Sequence, residues 1–190
     1  VVGTYNKESC EHILHIRIAT QMLLRRLVEK TDVYPLTESD IHLIATASSL
    51  HDIGKVGISK DVLNKPTKLT DEEFEIMKTH TLIGAKMIEN MEYPSDKPLV
   101  KTAYEICRWH HERFDGKGYP DGLKGNEIPI SAQVVSIADA FDALISTRVY
   151  KNAYDYRTAI QMIMDGKCGC FNPLLLECLK EMGAKIYVAF

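Results

Sequence analysis

The residues of this chain able to do chemistry are histidines and carboxylates, and they come in company. His51 is followed by Asp52, and His110 by His111. Glu8 stands four residues before His12, a spacing that puts both on one face of a helix. His80 stands alone, and Asp139 interrupts the apolar run Val134-Val135-Ser136-Ile137-Ala138-Asp139-Ala140-Phe141. Imidazole and carboxylate together suit first-row divalent metals, and a carboxylate can bridge two ions where an imidazole nitrogen cannot. These eight side chains are more than one ion can use, so the set points to two or three ions. Taken singly, each piece is ordinary. A lone histidine is commonly a satisfied core or surface residue, Glu8 and His12 make an unremarkable solvated pair, and Asp139 alone is a buried carboxylate with a partner. Their order along the chain carries the information.

The elements that must position these residues read as helices. Residues 6–30 carry Ile13, Leu14, Ile18, Met22, Leu27 and Val28 near helical period, and Thr31-Asp32-Val33-Tyr34-Pro35 ends the run. Thr37-Glu38-Ser39-Asp40 has the pattern of a capping box and opens a second helix, through Ser49, that delivers His51-Asp52. Thr70-Asp71-Glu72-Glu73 starts a third, running to about Asn90 with His80 inside it. Ser95-Asp96-Lys97-Pro98 starts a fourth that ends near His111. Residues 112–130, with Gly116, Gly118, Pro120, Gly122, Gly125 and Pro129, form a loop. Ser131 is expected to cap a helix reaching about Thr147 and carrying Asp139. Residues 157–165 and 173–182 supply two more, the last opened by Asn172-Pro173 and stopped by Gly183. Strand alternation is almost absent, which makes the fold class all-α.

Composition bounds the rest. A chain of 190 residues with 45% hydrophobic side chains has the size and core of a single domain. Lys plus Arg number 23 against 26 Asp plus Glu, a formal charge of -3, which argues against a partner that is a nucleic acid polymer. No apolar run reaches the ~18–20 residues of a membrane span. Five cysteines, an odd count at irregular spacing, point to a reducing compartment, so a cytoplasmic location is expected. The start at Val1, without Met or a signal-like block, is what an excised fragment would show. Cys168-Gly169-Cys170 has no second pair and reads as structural. His42 reads as solvated, and Asp142 as a polar helix position. No P-loop, dinucleotide fingerprint or H-E-x-x-H run occurs.

Two strings stand out: His51-Asp52-Ile53-Gly54-Lys55, and His110-His111-Glu112-Arg113-Phe114-Asp115-Gly116-Lys117-Gly118-Tyr119-Pro120. With Glu127-Ile128-Pro129, Ile137-Ala138-Asp139 and Arg148-Val149-Tyr150-Lys151, they make the chain resemble the HD-GYP phosphodiesterases, a branch of the HD-domain metal-dependent phosphohydrolases. The likeness runs from Glu8 to about Leu179. It implies an HD-domain helical bundle with a GYP-bearing loop, one catalytic domain over residues 1–190 and a bacterial source. It implies metal ligands at His51, Asp52, His80, His110, His111 and Asp139, with Asp52 bridging, and a third metal site using Glu8 and His12. It also implies that Lys55, Arg148 and Lys151 approach the phosphate, with Tyr119 contributing to recognition. Where the family commonly has an arginine after the first-helix histidine, this chain has His15.

The activity so implied is hydrolysis of cyclic di-GMP to pGpG or GMP, by a hydroxide bridging two ions, with Asp52 and Lys55 as the catalytic residues. The resemblance favours iron or manganese, and zinc or nickel would also suit the ligands. The same residues are compatible with two other readings. One is a domain that senses a cyclic dinucleotide, or docks a GGDEF-domain protein through the GYP loop, without useful turnover. The other is the same chemistry on another cyclic dinucleotide such as cyclic GMP-AMP.

Overall fold

The computed structural model describes residues 10–91, 97–146 and 153–190, and among these there is no strand. The helices are α1 (Cys10–Lys30), α2 (Glu38–Ala47), α3 (Lys60–Leu63), α4 (Asp71–Lys78), α5 (His80–Glu89), α6 (Pro98–Trp109), α7 (Ile130–Ile145), α8 (Tyr156–Met164) and α9 (Pro173–Ala189). Short 3-10 turns cover Ser48–Leu50, Ile53–Gly57 and Gly125–Glu127. α7 is the central element. Every residue from Ser131 to Ala138, then Phe141, Asp142 and Leu144, is buried, and the helix packs against α1, α6 and α8. α1 lies against α2, α7 and α9, while α5 pairs with α6 and with the Ile53–Gly57 turn.

α1 buries a stripe that shares Leu27 with the apolar residues read near helical period, with Met22 and Val28 packed at its edge. The inward stripe is His12, Ile16, Ala19, Thr20, Leu23, Leu24 and Leu27, while Leu14 is half exposed. Apolar residues surround this helix on most sides, so periodicity alone does not choose a face. The small Ala19 and Thr20 occur on the side that meets the other helices. Burying each large member of such a stripe is worth ~1.5–3 kcal/mol. His12 lies one turn before Ile16 on the same stripe, which is why it is buried.

Three helix boundaries differ from expectation. Residues 71–89 form two helices, broken at Thr79. There Thr79 Oγ1, His80 Nδ1 and Thr81 Oγ1 donate to the carbonyls of Ile76, Met77 and Lys78, at 2.7, 2.6 and 2.9 Å, and take over acceptors at the end of α4. Ser131 is no cap: α7 begins after Pro129, and the Ser131 hydroxyl donates to Glu105 (2.8 Å). Gly183 does not stop α9, which continues to Ala189. A Cβ at Gly183 would lie 2.3 Å from Ile160 Cδ1, so the glycine serves the close approach of α8.

The expected capping boxes are present. Thr37 and Asp40 cap α2, and Thr70 and Glu73 cap α4, each pair satisfying two otherwise unpartnered backbone donors.

Candidate metal centre

The local fold brings histidines to places where helices end. The turn Ser48–Leu50 follows α2 and presents His51 and Asp52. The next residues pass so close to α5 that a Cβ on Gly54 would lie 1.9 Å from the His80 carbonyl oxygen and 2.4 Å from Gly84 N. Only glycine permits this approach, and it places Asp52 beside His80. His110 and His111 follow the last residue of α6, and Asp139 lies in α7.

Four of the five rings are oriented by an acceptor on their far side. His51 Nδ1 donates to Ser48 O (2.9 Å), His80 Nδ1 to Met77 O (2.6 Å), and His110 Nδ1 to Ile106 O (2.8 Å). A carbonyl can only accept, so the proton sits on Nδ1 and the Nε2 lone pair faces the interior. His12 is held in the same sense by a carboxylate, with Nδ1 2.6 Å from Asp142 Oδ2.

Asp52 is the hub. Its Oδ1 lies 3.2 Å from His80 Nε2 and 3.8 Å from His110 Nε2, and its Oδ2 lies 3.1 Å from His51 Nε2 and 2.5 Å from Lys55 Nζ. The ligand atoms of Asp52, His80, His110 and His111 fall within 4.8 Å of one another, and so do those of His12, His51 and Asp139. The two groups adjoin, with the His51 ring 5.4 Å from His12 and 5.3 Å from His110. One carboxylate therefore directs its two oxygens toward two neighbouring sets of ligands.

The donor set fits divalent cations. His80 and His110 bring their Nε2 atoms to 3.5 Å, and both are acceptors by the argument above. Burial pushes the His80 imidazolium down to about 4, so His80 is neutral at physiological pH and supplies no proton to separate the two lone pairs. Asp52 Oδ1, buried in the same focus, accepts no hydrogen bond within the protein. Burial alone would raise the Asp52 carboxyl, yet the Lys55 ammonium holds it well below the usual carboxylate range, so it is ionised. Burial, with His110 and His80 beside it, likewise keeps His111 from protonating. Converging lone pairs and an ionised carboxylate, all buried, call for a cation at their centre.

The GYP-bearing loop closes one side. Tyr119 lies flat on His111, with ring centroids 4.8 Å apart and planes at 24°, and its N–H donates to His111 O (3.3 Å). A Cβ on Gly118 would meet Arg113 N at 2.3 Å and Glu112 Cα at 2.4 Å, so the loop rests directly on the backbone after the double histidine. Glu112 is buried, and its Oε1 accepts from the backbone N–H of Asp121 (2.7 Å) and Gly122 (3.0 Å). Arg113 Nη1 donates to Ser136 Oγ (2.6 Å), which ties the loop to α7 one turn before Asp139. The positioning roles of Glu112 and Arg113 had no separate sign in the sequence.

Asp142 was also missed. It is 1% exposed and accepts from His12, from His15 Nδ1 (2.7 Å) and from Ser146 Oγ (3.1 Å), so it is a buried anchor where a plain polar helix position was expected. The signal lay in two matching spacings, His12 to His15 and Asp139 to Asp142. His15 and Cys168-Gly169-Cys170 belong to neither ligand group, and His42 is exposed. Glu8, Arg148 and Lys151 lie outside the described residues.

A family model described as "HD domain" matches residues 8–169. A "Cyclic di-GMP phosphodiesterase" of Vibrio cholerae is 41% identical over 178 residues, 90% of this chain and 35% of that protein. A "3'3'-cGAMP-specific phosphodiesterase 2" of the same species is 36% identical over 180 residues, 95% of this chain and 32% of that protein. The chain thus spans well under half the length of these relatives. A solved structure of Bd1817, an HDG"Y"P protein of Bdellovibrio bacteriovorus, superposes with a TM-score of 0.64 at 21% identity, over 90% of this chain and 52% of that one. That likeness bears on the fold, and the folds agree.

Proposed function

The chain belongs to the HD-domain family, and from that premise we propose that it is a metal-dependent phosphodiesterase that hydrolyses cyclic di-GMP to pGpG or GMP. The observation that carries this reading is the placement of Asp52 between two sets of ligands in which the rings of His12, His51, His80 and His110 are held with Nε2 inward. His80, His110, His111 and Asp52 would hold one ion, and His12, His51, Asp139 and Asp52 a second. A third would add Glu8. The family resemblance favours iron or manganese, and zinc or nickel would also suit the donor set.

Divalent ions bound there would supply Lewis acidity, a nucleophile available at neutral pH, and neutralisation of charge on the phosphoryl oxygens. The chain's own residues do the remainder. Asp52 stays ionised and fixes the spacing of the two ligand sets. Lys55, 2.5 Å from Asp52 in a segment pinned by Gly54, is a fixed cation at the mouth, placed to meet a phosphate oxygen. Tyr119 walls the His111 side and keeps water from that flank. Arg148 and Lys151 are assigned to the phosphate by their resemblance alone.

Cyclic di-GMP is the leading substrate because relatives about 40% identical over most of this chain bear that name. A second reading, 3'3'-cGAMP, is favoured by the 36% identical relative of that specificity. A cyclic dinucleotide substrate also fits a cytoplasmic protein, and no described helix is long and apolar enough to cross a membrane. The exposed rim of the loop, Lys117, Asp121 and Lys124, is where a GGDEF-domain protein would dock.

The test is hydrolysis of both cyclic dinucleotides, resolved by chromatography, on protein loaded anaerobically with Fe(II) or Mn(II), beside a chelated sample. Metal-dependent pGpG or GMP is expected. Full metal occupancy with no product from either substrate would overturn the enzyme reading and leave the sensing or docking role.

A further inference from the structure

Resting on the reading of the centre as a cyclic dinucleotide site, we propose that Phe74 and Lys78 of α4, with Tyr119, form the subsite that holds a guanine base of the substrate. α4 is built unlike the rest of the fold. None of its residues is buried, yet it carries Phe74 and Ile76, both 47% exposed. Its place is fixed without the core, by the Thr70–Glu73 capping box and by Lys65, whose ammonium reaches Glu73. A large aromatic side chain held at the surface on an anchored helix is available to a flat ligand.

Its neighbours point to which ligand. The Phe74 ring stands edge-on to Tyr119, with centroids 6.3 Å apart and planes at 84°. Tyr119 in turn lies flat on His111, which shares a ligand group with Asp52, His80 and His110. An aromatic path therefore runs from the candidate ligands that would meet the phosphate to the half-exposed Phe74 ring on α4. Lys78 Nζ lies 5.7 Å from the centroids of both Phe74 and Tyr119, while paired to Glu75 at 2.6 Å. Flat bases stack on aromatic faces regardless of identity. Guanine adds the O6 and N7 acceptors that an ammonium can meet, whereas adenine presents an N6 donor beside N7. The pair Phe74 and Lys78 thus provides a platform for any base and a reason to prefer guanine.

The experiment combines equilibrium binding of cyclic di-GMP with steady-state hydrolysis of cyclic di-GMP and 3'3'-cGAMP, on Mn(II)-loaded wild type, Phe74→Ala, Phe74→Trp and Lys78→Met. Both sites are on the surface, and circular dichroism verifies that the variants are folded. Phe74→Ala should raise Kd and KM roughly 5- to 150-fold, the loss of one base–aromatic stack, with kcat within about threefold. Phe74→Trp should restore both. Lys78→Met should raise Kd and KM for both substrates, because 3'3'-cGAMP also carries a guanine that can occupy the subsite. Normal turnover by Phe74→Ala with unchanged KM and Kd would overturn the subsite and leave the enzyme reading standing. Wild type that binds without hydrolysing would overturn the enzyme reading, and the binding shift alone would then decide the subsite. No binding by metal-loaded wild type would overturn both.

Discussion

A histidine is ready to ligate when its second nitrogen is already engaged, and the centre shows this device with two kinds of acceptor. His51, His80 and His110 use backbone carbonyls, which no side-chain substitution can remove, while His12 depends on Asp142. Asp142→Ala is therefore expected to weaken the ion served by His12 and Asp139 by ~10–100-fold and to spare the one served by His80, His110 and His111. Titration against a competing chelator resolves the two, and equal loss at both would mean that Asp142 acts on the fold instead. Asp52→Ala is the stronger lesion, since its carboxylate faces both sets. It should abolish turnover and lower the bound metal to at most one set's worth by elemental analysis. A variant with full metal and full rate would remove Asp52 from the bridging position. The candidate ligands were singled out in the sequence because their order matches a motif, and the fold brings seven of the eight into two groups. Asp142 and Glu112 were not, because each acts on partners that only the tertiary fold supplies: Asp142 on His12, across most of the chain, and Glu112 on two backbone N–H groups of a folded-back loop.

At the scale of elements, the centre depends on two close approaches made possible by glycine. Gly54 lies on the backbone at the start of α5, and Gly118 on the backbone after His111, with no room for a Cβ at either. Gly54→Ala should force the Ile53–Gly57 turn away from His80 and destabilise the fold by ~1–3 kcal/mol. It should cost metal affinity as well, because Asp52 and His80 come from the two surfaces that separate. Thermal unfolding with and without Mn(II) tests both effects, and an unperturbed Tm would contradict the packing described. The helices were mostly legible from caps and punctuation, as at Thr37, Thr70 and Asn172. The boundaries at Thr79 and Gly183 and the inward face of α1 were not. Thr79 breaks the chain because three successive side chains take three carbonyls, a local competition that a propensity count does not register. Gly183 remains helical because α8 packs on it, so tertiary contact overrides the usual meaning of a glycine.

The whole molecule is joined at the metal centre. The candidate ligands come from α1, the segment after α2, the start of α5, the residues after α6, and α7. Without cations, the fold holds facing imidazole lone pairs in a buried space, an arrangement that opposes folding. The unfolded chain has no such convergence, so bound ions should stabilise the folded state by mass action. At a free concentration of about 100 times Kd, one site contributes roughly 2.7 kcal/mol. For a domain of this size that corresponds to a rise in Tm of roughly 5–10 °C. Mn(II) should therefore raise the melting temperature in a concentration-dependent way, and a chelator should reverse it. The rise should shrink sharply in Asp52→Ala, and it should persist in Phe74→Ala, whose side chain lies outside the ligand groups. Scanning calorimetry over a metal titration makes the comparison directly. Mn(II) bound in stoichiometric amount with no change in Tm would place it away from the convergence of these helices. A rise kept in full by Asp52→Ala would show that the stabilising ion does not use the bridging carboxylate.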